Sequence, residues 1–213
     1  MSTPDAAFYF DLQSPLAYLA AERVLQTMPI ATEWQPVLAR TLKGTPSGAH
    51  PEGHRQAGEL GRAESFETFR CRKEEEIFRS EVELRAASLG LQPLRWPSPF
   101  PFDSVIAMRV ATYAKSIGRG VAFAQAAFRQ AFAGGRSLDE VDNVLIAASA
   151  CEMHPSAVLK AIEMASLEER LSAATARAAE SGVCDVPSVR VDERVFHGER
   201  ALEEAAALAG APA

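Results

Sequence analysis

Phe8-Tyr9-Phe10-Asp11-Leu12-Gln13-Ser14-Pro15-Leu16-Ala17-Tyr18-Leu19-Ala20 carries two structural signals in one short stretch. Ala6 to Asp11 is short, aromatic and apolar, the texture of a buried strand. Ser14 and Pro15 then precede an apolar-periodic run from Leu16 to Leu25. That order predicts a helix start: the Ser14 hydroxyl accepts from an unpaired backbone N–H, and Pro15 sits where no N–H is needed. Pro29 closes this helix. Ala31 to Leu38 alternates roughly and predicts a second strand, which completes a βαβ unit if it runs parallel to the first.

Outward from this unit the texture becomes helical. Arg40 to Arg62 is rich in Gly, Pro, His and Thr and predicts a long loop or lid. Glu64 to Leu89 has dense charge with helical apolar spacing, and Gly90 ends it. Leu91 to Pro101 holds four prolines and predicts an extended, irregular segment. Helices follow over Asp103–Ser116 and Val121–Ala133. Ser137-Leu138-Asp139-Glu140 has capping-box spacing and predicts a helix to about Cys151. His154-Pro155 opens a short helix to about Ala165, and a second capping-box match at Ser166-Leu167-Glu168-Glu169 opens one to Glu180. After Gly182 the chain is β-rich: Val189-Arg190-Val191 and Arg194-Val195-Phe196 flank Asp192-Glu193 as a hairpin. Leu202 to Leu208 predicts a last short helix. The expected division is residues 1–63, a βαβ part with its loop; 64–181, a helical insertion; and 182–213, a ββα part.

Composition narrows the function classes. The 213 residues suffice for a substantial core. The 39 alanines favour helix, since Ala loses no side-chain entropy there. A formal net charge of −6 without a basic patch argues against a nucleic-acid binder. No apolar run is long enough to span a membrane. Cys71, Cys151 and Cys184 are odd in number, far apart and without a C-x-x-C pair, which excludes a disulfide scaffold and a Cys-based zinc module. No signal peptide is read at Met1 to Asp11, so a reducing, cytoplasmic setting is expected. His50 and His54 are separated by Pro51-Glu52-Gly53 and are not read as a metal site. Cys184 reads as a small buried hydrophobe near a pocket, Arg70-Cys71-Arg72-Lys73 as a surface segment, and Trp34 and Trp96 as core.

A βαβ unit and a ββα unit, with Pro187 at the head of the latter, resemble the thioredoxin-like fold, and the helical insertion resembles its DsbA-like branch. The quoted stretch is similar to the F-Y-F-D-x-x-S-P-x-x-Y-L-A opening of 2-hydroxychromene-2-carboxylate isomerases and kappa-class glutathione transferases. Pro97-Ser98-Pro99-Phe100-Pro101-Phe102-Asp103-Ser104 with Arg109 resembles their proline-rich entry to the helical part. Gly182-Val183-Cys184-Asp185-Val186-Pro187-Ser188 resembles G-V-x-G-V-P-[ST], and Phe196-His197-Gly198 with Leu202 resembles part of F-W-G-x-D-R-L. The resemblance spans Phe8 to about Ala207.

It implies a thiol-dependent isomerase or transferase, with glutathione or another low-molecular-weight thiol as co-substrate, no metal, an unsaturated or aromatic carboxylate as substrate, and a homodimer. Redox-active members open the helix with C-P-x-C. Here the frame reads Ser14-Pro15-Leu16-Ala17, which cannot cycle a disulfide. A Ser14 hydroxyl aimed at a bound sulfur would favour thiolate over thiol, and the helix start favours an anion. Pro187 is expected to be cis, leaving the Val186 backbone to pair with an extended ligand. The family's Asp-Arg pair for the γ-glutamyl end falls on Arg200 and Ala201, so Glu199 and Arg200 are the candidates one position early. Asp185 stands where the family has Gly. These departures leave a second expectation: a redox-inactive binding or regulatory protein that kept the fold.

Overall fold

The computed structural model describes residues 5–42, 69, 71–198 and 200–210. Most of the loop expected over 40–62, and the first part of the helix expected from Glu64, lie outside them. Strand β1 is Ala6–Phe10. Ser14 caps helix α1, Pro15–Ala21, by accepting from Ala17 N–H at 3.1 Å. The expected single helix is broken: the Arg23 N–H reaches back to the Ala20 carbonyl, a tighter turn, and α2 resumes over Val24–Thr27. The two residues at the break then serve different neighbours, Glu22 pairing with Arg129 and Arg23 with Glu203.

Strand β2, Thr32–Pro36, is parallel to β1, with Phe8 opposite Trp34. A 3-10 turn over Ala39–Thr41 follows. The helical run is α3 Arg72–Ser88, α4 Val105–Ser116, α5 Gly120–Phe132, α6 Val141–Ser149, α7 Pro155–Glu163 and α8 Ala165–Glu180. Strands β3, Ser188–Val191, and β4, Arg194–His197, form the expected antiparallel hairpin, and α9 is Ala201–Ala209. The sheet order is β2-β1-β3-β4, with β3 antiparallel to β1. This is the thioredoxin-like arrangement with helices inserted between its halves. Among the described residues no helix is long and apolar enough to cross a membrane.

Both expected capping boxes fail, for local reasons. Glu140 is extended (φ −88°, ψ 122°), so α6 starts at Val141 and the buried Ser137 hydroxyl has no hydrogen-bond partner. Asn143 instead donates to the Ser137 carbonyl. At the second site Met164 alone separates α7 from α8, so Ser166 is already helical. The His154-Pro155 start holds, with His154 Nδ1 accepting from Ser156 N–H.

Strand pleating sorts the core into two faces. Phe8, Phe10, Trp34, Val189 and Phe196 face one side, with Tyr18, Leu202 and Phe128. Ala7, Tyr9, Val195, Val186 and Val37 face the other, with Ala178 of α8. Phe128 lies 5.8 Å from Phe10 and 6.1 Å from Tyr18 between ring centroids, which joins α5 to both the sheet and α1. Trp34 is buried and Trp96 is partly buried against the same core.

Candidate active site

The chain leaves β1 through Asp11, whose carboxyl is completely buried. Its two oxygens accept from the N–H groups of Gln13 and Ala39, and Ser14 N–H donates to the Asp11 carbonyl. Burial pushes the Asp11 carboxyl above its ordinary range, opposed by hydrogen bonds from Ser104, Ala39 and Gln13. Asp11 thus ties the exit of β1, the corner after β2 and the head of α4 around the Ser14 turn. It is the one charged residue between the strand and the capped helix, and it stands in the F-Y-F-D opening of the quoted stretch.

Ser14 is 1% exposed. Its oxygen is occupied as an acceptor by Ala17 N–H, while the hydroxyl hydrogen is not needed for the cap. Ser14 does not line the adjacent groove. That groove, shallow and open to solvent, begins at Leu16 and Pro187 and runs between α1 and α9 past Leu19, Ala20, Val189 and Leu202. Leu16, Leu19 and Ala20 follow the i, i+3, i+4 spacing of one face of α1, and Arg23 follows at the break before α2.

The far end of the groove is charged. Arg23 and Arg85 both line it, and Arg23 Nη2 lies 2.5 Å from Glu203 Oε1. Burial pushes the Arg85 guanidinium down, Glu203 raises it and Arg23 lowers it again. Burial alone would raise the Glu203 carboxyl, but the Arg23 hydrogen bond and the two guanidiniums hold it below its usual value. Arg23, Arg85 and Glu203 gather at this end. Periodicity from Leu16 could have found Arg23; nothing local marks Arg85, which arrives on α3.

The other expected residues divide. Val186-Pro187 is cis, as expected, and Pro187 lines the groove together with Leu16. Val186 N–H, however, is not free for a ligand: it donates to Asp185 Oδ1 at 2.7 Å. The residue standing for the family's Gly has filled that donor with its own carboxylate. Arg200 is exposed, its Nε 3.7 Å from Glu204, and does not line the groove; Glu199 lies outside the described residues. Cys184 is half-buried rather than a core residue. Cys71 is exposed at the head of α3. Arg109 bonds the Ile162 carbonyl and Glu168 within the helical part. Among the described residues no three His, Cys, Asp or Glu side chains gather as metal ligands; His50 and His54 lie outside them.

Burial pushes the Asp185 carboxyl from 3.8 up to about 6, against the lowering effect of the Val186 N–H. The folded state therefore holds this proton more tightly than the unfolded chain. Stability from this group is present below pH 4 and falls as pH rises through about 6. Asp185→Asn removes the contribution. Urea unfolding at pH 4 and pH 7 should show the variant gaining on the wild type at pH 7 by on the order of 2 kcal/mol; an unchanged difference between the two pH values would contradict it.

Comparison with known proteins agrees with this architecture. Residues 7–208 match the family model of the DSBA-like thioredoxin domain. Among solved structures, a 2-hydroxychromene-2-carboxylate isomerase superimposes with a TM-score of 0.75 at 17% identity, covering 95% of this chain and 93% of that one. A probable DsbA oxidoreductase from Streptomyces coelicolor gives 0.71 at 17% identity, with 97% and 88% covered. The cytosolic disulfide reductase DsbM from Pseudomonas aeruginosa, solved with glutathione, gives 0.60 at 14% identity, with 96% and 95% covered. At these identities the likeness is one of fold. No curated protein matches the sequence.

Proposed function

The chain belongs to the DSBA-like thioredoxin domain family, and on that footing we propose that it works with a borrowed thiol. Glutathione or a similar small thiol binds at the start of α1 beside Pro187, where the groups covering Ser14 must part for its hydroxyl to donate to the sulfur. The thiolate adds to an unsaturated or aromatic carboxylate lying in the groove. A carbon–sulfur bond forms, the electron pair of the double bond moves onto the conjugated carbonyl, and the resulting single bond rotates. Expulsion of the thiolate restores the double bond, so the thiol is not consumed in an isomerisation. Release of the adduct with a proton instead gives the transferase outcome.

The observation that carries this reading is the groove itself. Its walls are apolar from Leu16 to Leu202 and its end carries the Arg23 and Arg85 guanidiniums beside the Glu203 carboxylate. Such a shape suits a flat apolar body with one carboxylate. The missing thiols at Ser14 and Ala17 favour a borrowed thiol over a dithiol cycle. The fit to glutathione is uneven: Val186 N–H must give up Asp185 to pair with a ligand backbone, and the γ-glutamyl pair of the family is displaced onto Arg200 and Ala201.

The test is turnover of an unsaturated aromatic carboxylate with and without glutathione. Turnover should require the thiol, and Arg85→Met should raise KM about tenfold or more with kcat little changed, the loss of one charged hydrogen bond. Thiol-independent turnover, or an unchanged KM, overturns the assignment. A second reading, a non-catalytic binding protein, is favoured by the Asp185 carboxylate seated on Val186 N–H. It predicts carboxylate binding in the groove with no turnover by any thiol.

A further inference from the structure

We propose that Glu203 is an internal competitor for the ligand carboxylate: a ligand gains Arg23 by displacing the carboxylate of Glu203 from it. This rests on the reading of the groove as a carboxylate site and adds the residue that sets how tightly a carboxylate binds there. Arg23 lines the end of the groove and Glu203 does not, yet Arg23 Nη2 lies 2.5 Å from Glu203 Oε1. The pair joins the break before α2 to the first turn of α9. Arg85 of α3, also on the groove lining, acts with Arg23 to hold the same carboxyl below its usual value. The chain's own carboxylate therefore shows what these guanidiniums accept, and it already occupies Arg23.

Glu203 is placed to be displaced. Its side chain is 42% exposed and that of Arg23 only 23%, so the carboxylate can swing into water while the guanidinium stays. An ion pair this exposed is worth no more than about fivefold in an equilibrium constant. The Glu203 carboxylate also bonds its own N–H at the start of α9, where the helix dipole favours a negative charge. Release from Arg23 does not strand it.

The exchange balances in charge. One carboxylate leaves Arg23 as another arrives, and no proton moves. A neutral ligand has no charge to offer in return for the ion pair, so Glu203 weakens all binding at Arg23 and turns neutral ligands away most. Removal of this carboxylate should therefore tighten the binding of a carboxylate ligand, a gain rather than a loss.

Calorimetric titration of the intact protein with cinnamate, an unsaturated aromatic carboxylate, in the absence of any thiol tests this. Glu203→Gln should bind cinnamate about two- to fivefold more tightly than the wild type. Glu204→Gln removes the next carboxylate along α9, which stands 3.7 Å from Arg200, and should leave the affinity unchanged. That variant separates displacement from a general loss of negative charge. In an Arg23→Met background, Glu203→Gln should gain nothing. An equal or weaker affinity in Glu203→Gln, the same gain in Glu204→Gln, or a gain that survives Arg23→Met overturns the competitor and leaves the groove as a carboxylate site. Cinnamate bound by neither the wild type nor any variant overturns both.

Discussion

Ser14→Ala is expected to lower thiol-dependent turnover about a hundredfold, the loss that follows removal of one donor to a catalytically used anion. The same change removes the cap of α1, since Ser14 accepts from Ala17 N–H, and should cost about 1 kcal/mol of stability. The two effects separate in Ser14→Gly. Glycine at a helix N-cap costs only about a few tenths of a kcal/mol but offers the sulfur no hydrogen. This variant should unfold near the wild-type denaturant concentration and still lose the turnover. An active Ser14→Gly enzyme would reduce Ser14 to a helix cap.

Phe128→Ala should cost about 3–5 kcal/mol of stability. The ring is completely buried and stands against Phe10 of the sheet and Tyr18 of α1. A domain of ordinary stability has only about 5–15 kcal/mol in total, so the variant sits near the edge of folding. Because Phe128 belongs to α5 and its partners to the sheet and α1, the loss should be felt on both sides of that contact. Urea unfolding should remain a single transition, moved to much lower denaturant. Leu84→Ala, at a residue 73% exposed on α3, is the control and should shift stability by no more than about 0.5 kcal/mol. Two separated transitions in Phe128→Ala would show that the helical part and the sheet stand independently.

What could be read from the chain depended on how local each signal was. Ser14-Pro15 declared its cap because every atom of that cap lies within three residues. Ser137 and Ser166 carried the same chemistry and failed, since the extended Glu140 and the single-residue corner at Met164 set where those helices start. The hairpin of β3 and β4 was legible despite a turn with no Gly or Asn; Asp192 takes the left-handed position, φ 51°, a conformation Asp tolerates better than most. The site was legible at one end only. Pro187 and Leu16 line one groove because β1 and β3 are neighbours, which the topology implied. Arg85 enters from α3, far along the chain, and no spacing rule could place it. The Asp185 carboxylate on Val186 N–H is a side chain bonding to its neighbour's backbone, a choice that motif reading registers only as a missing Gly.

The sulfur itself offers the most direct measurement. Glutathione bound to the protein can be titrated by the ultraviolet absorbance of its thiolate, with Ser14→Ala alongside. A borrowed-thiol enzyme should bind glutathione and hold its thiol pKa below the free value of about 8.5, and the shift should vanish in Ser14→Ala. No binding at millimolar glutathione, or a bound thiol that ionises as it does in water, would contradict the account.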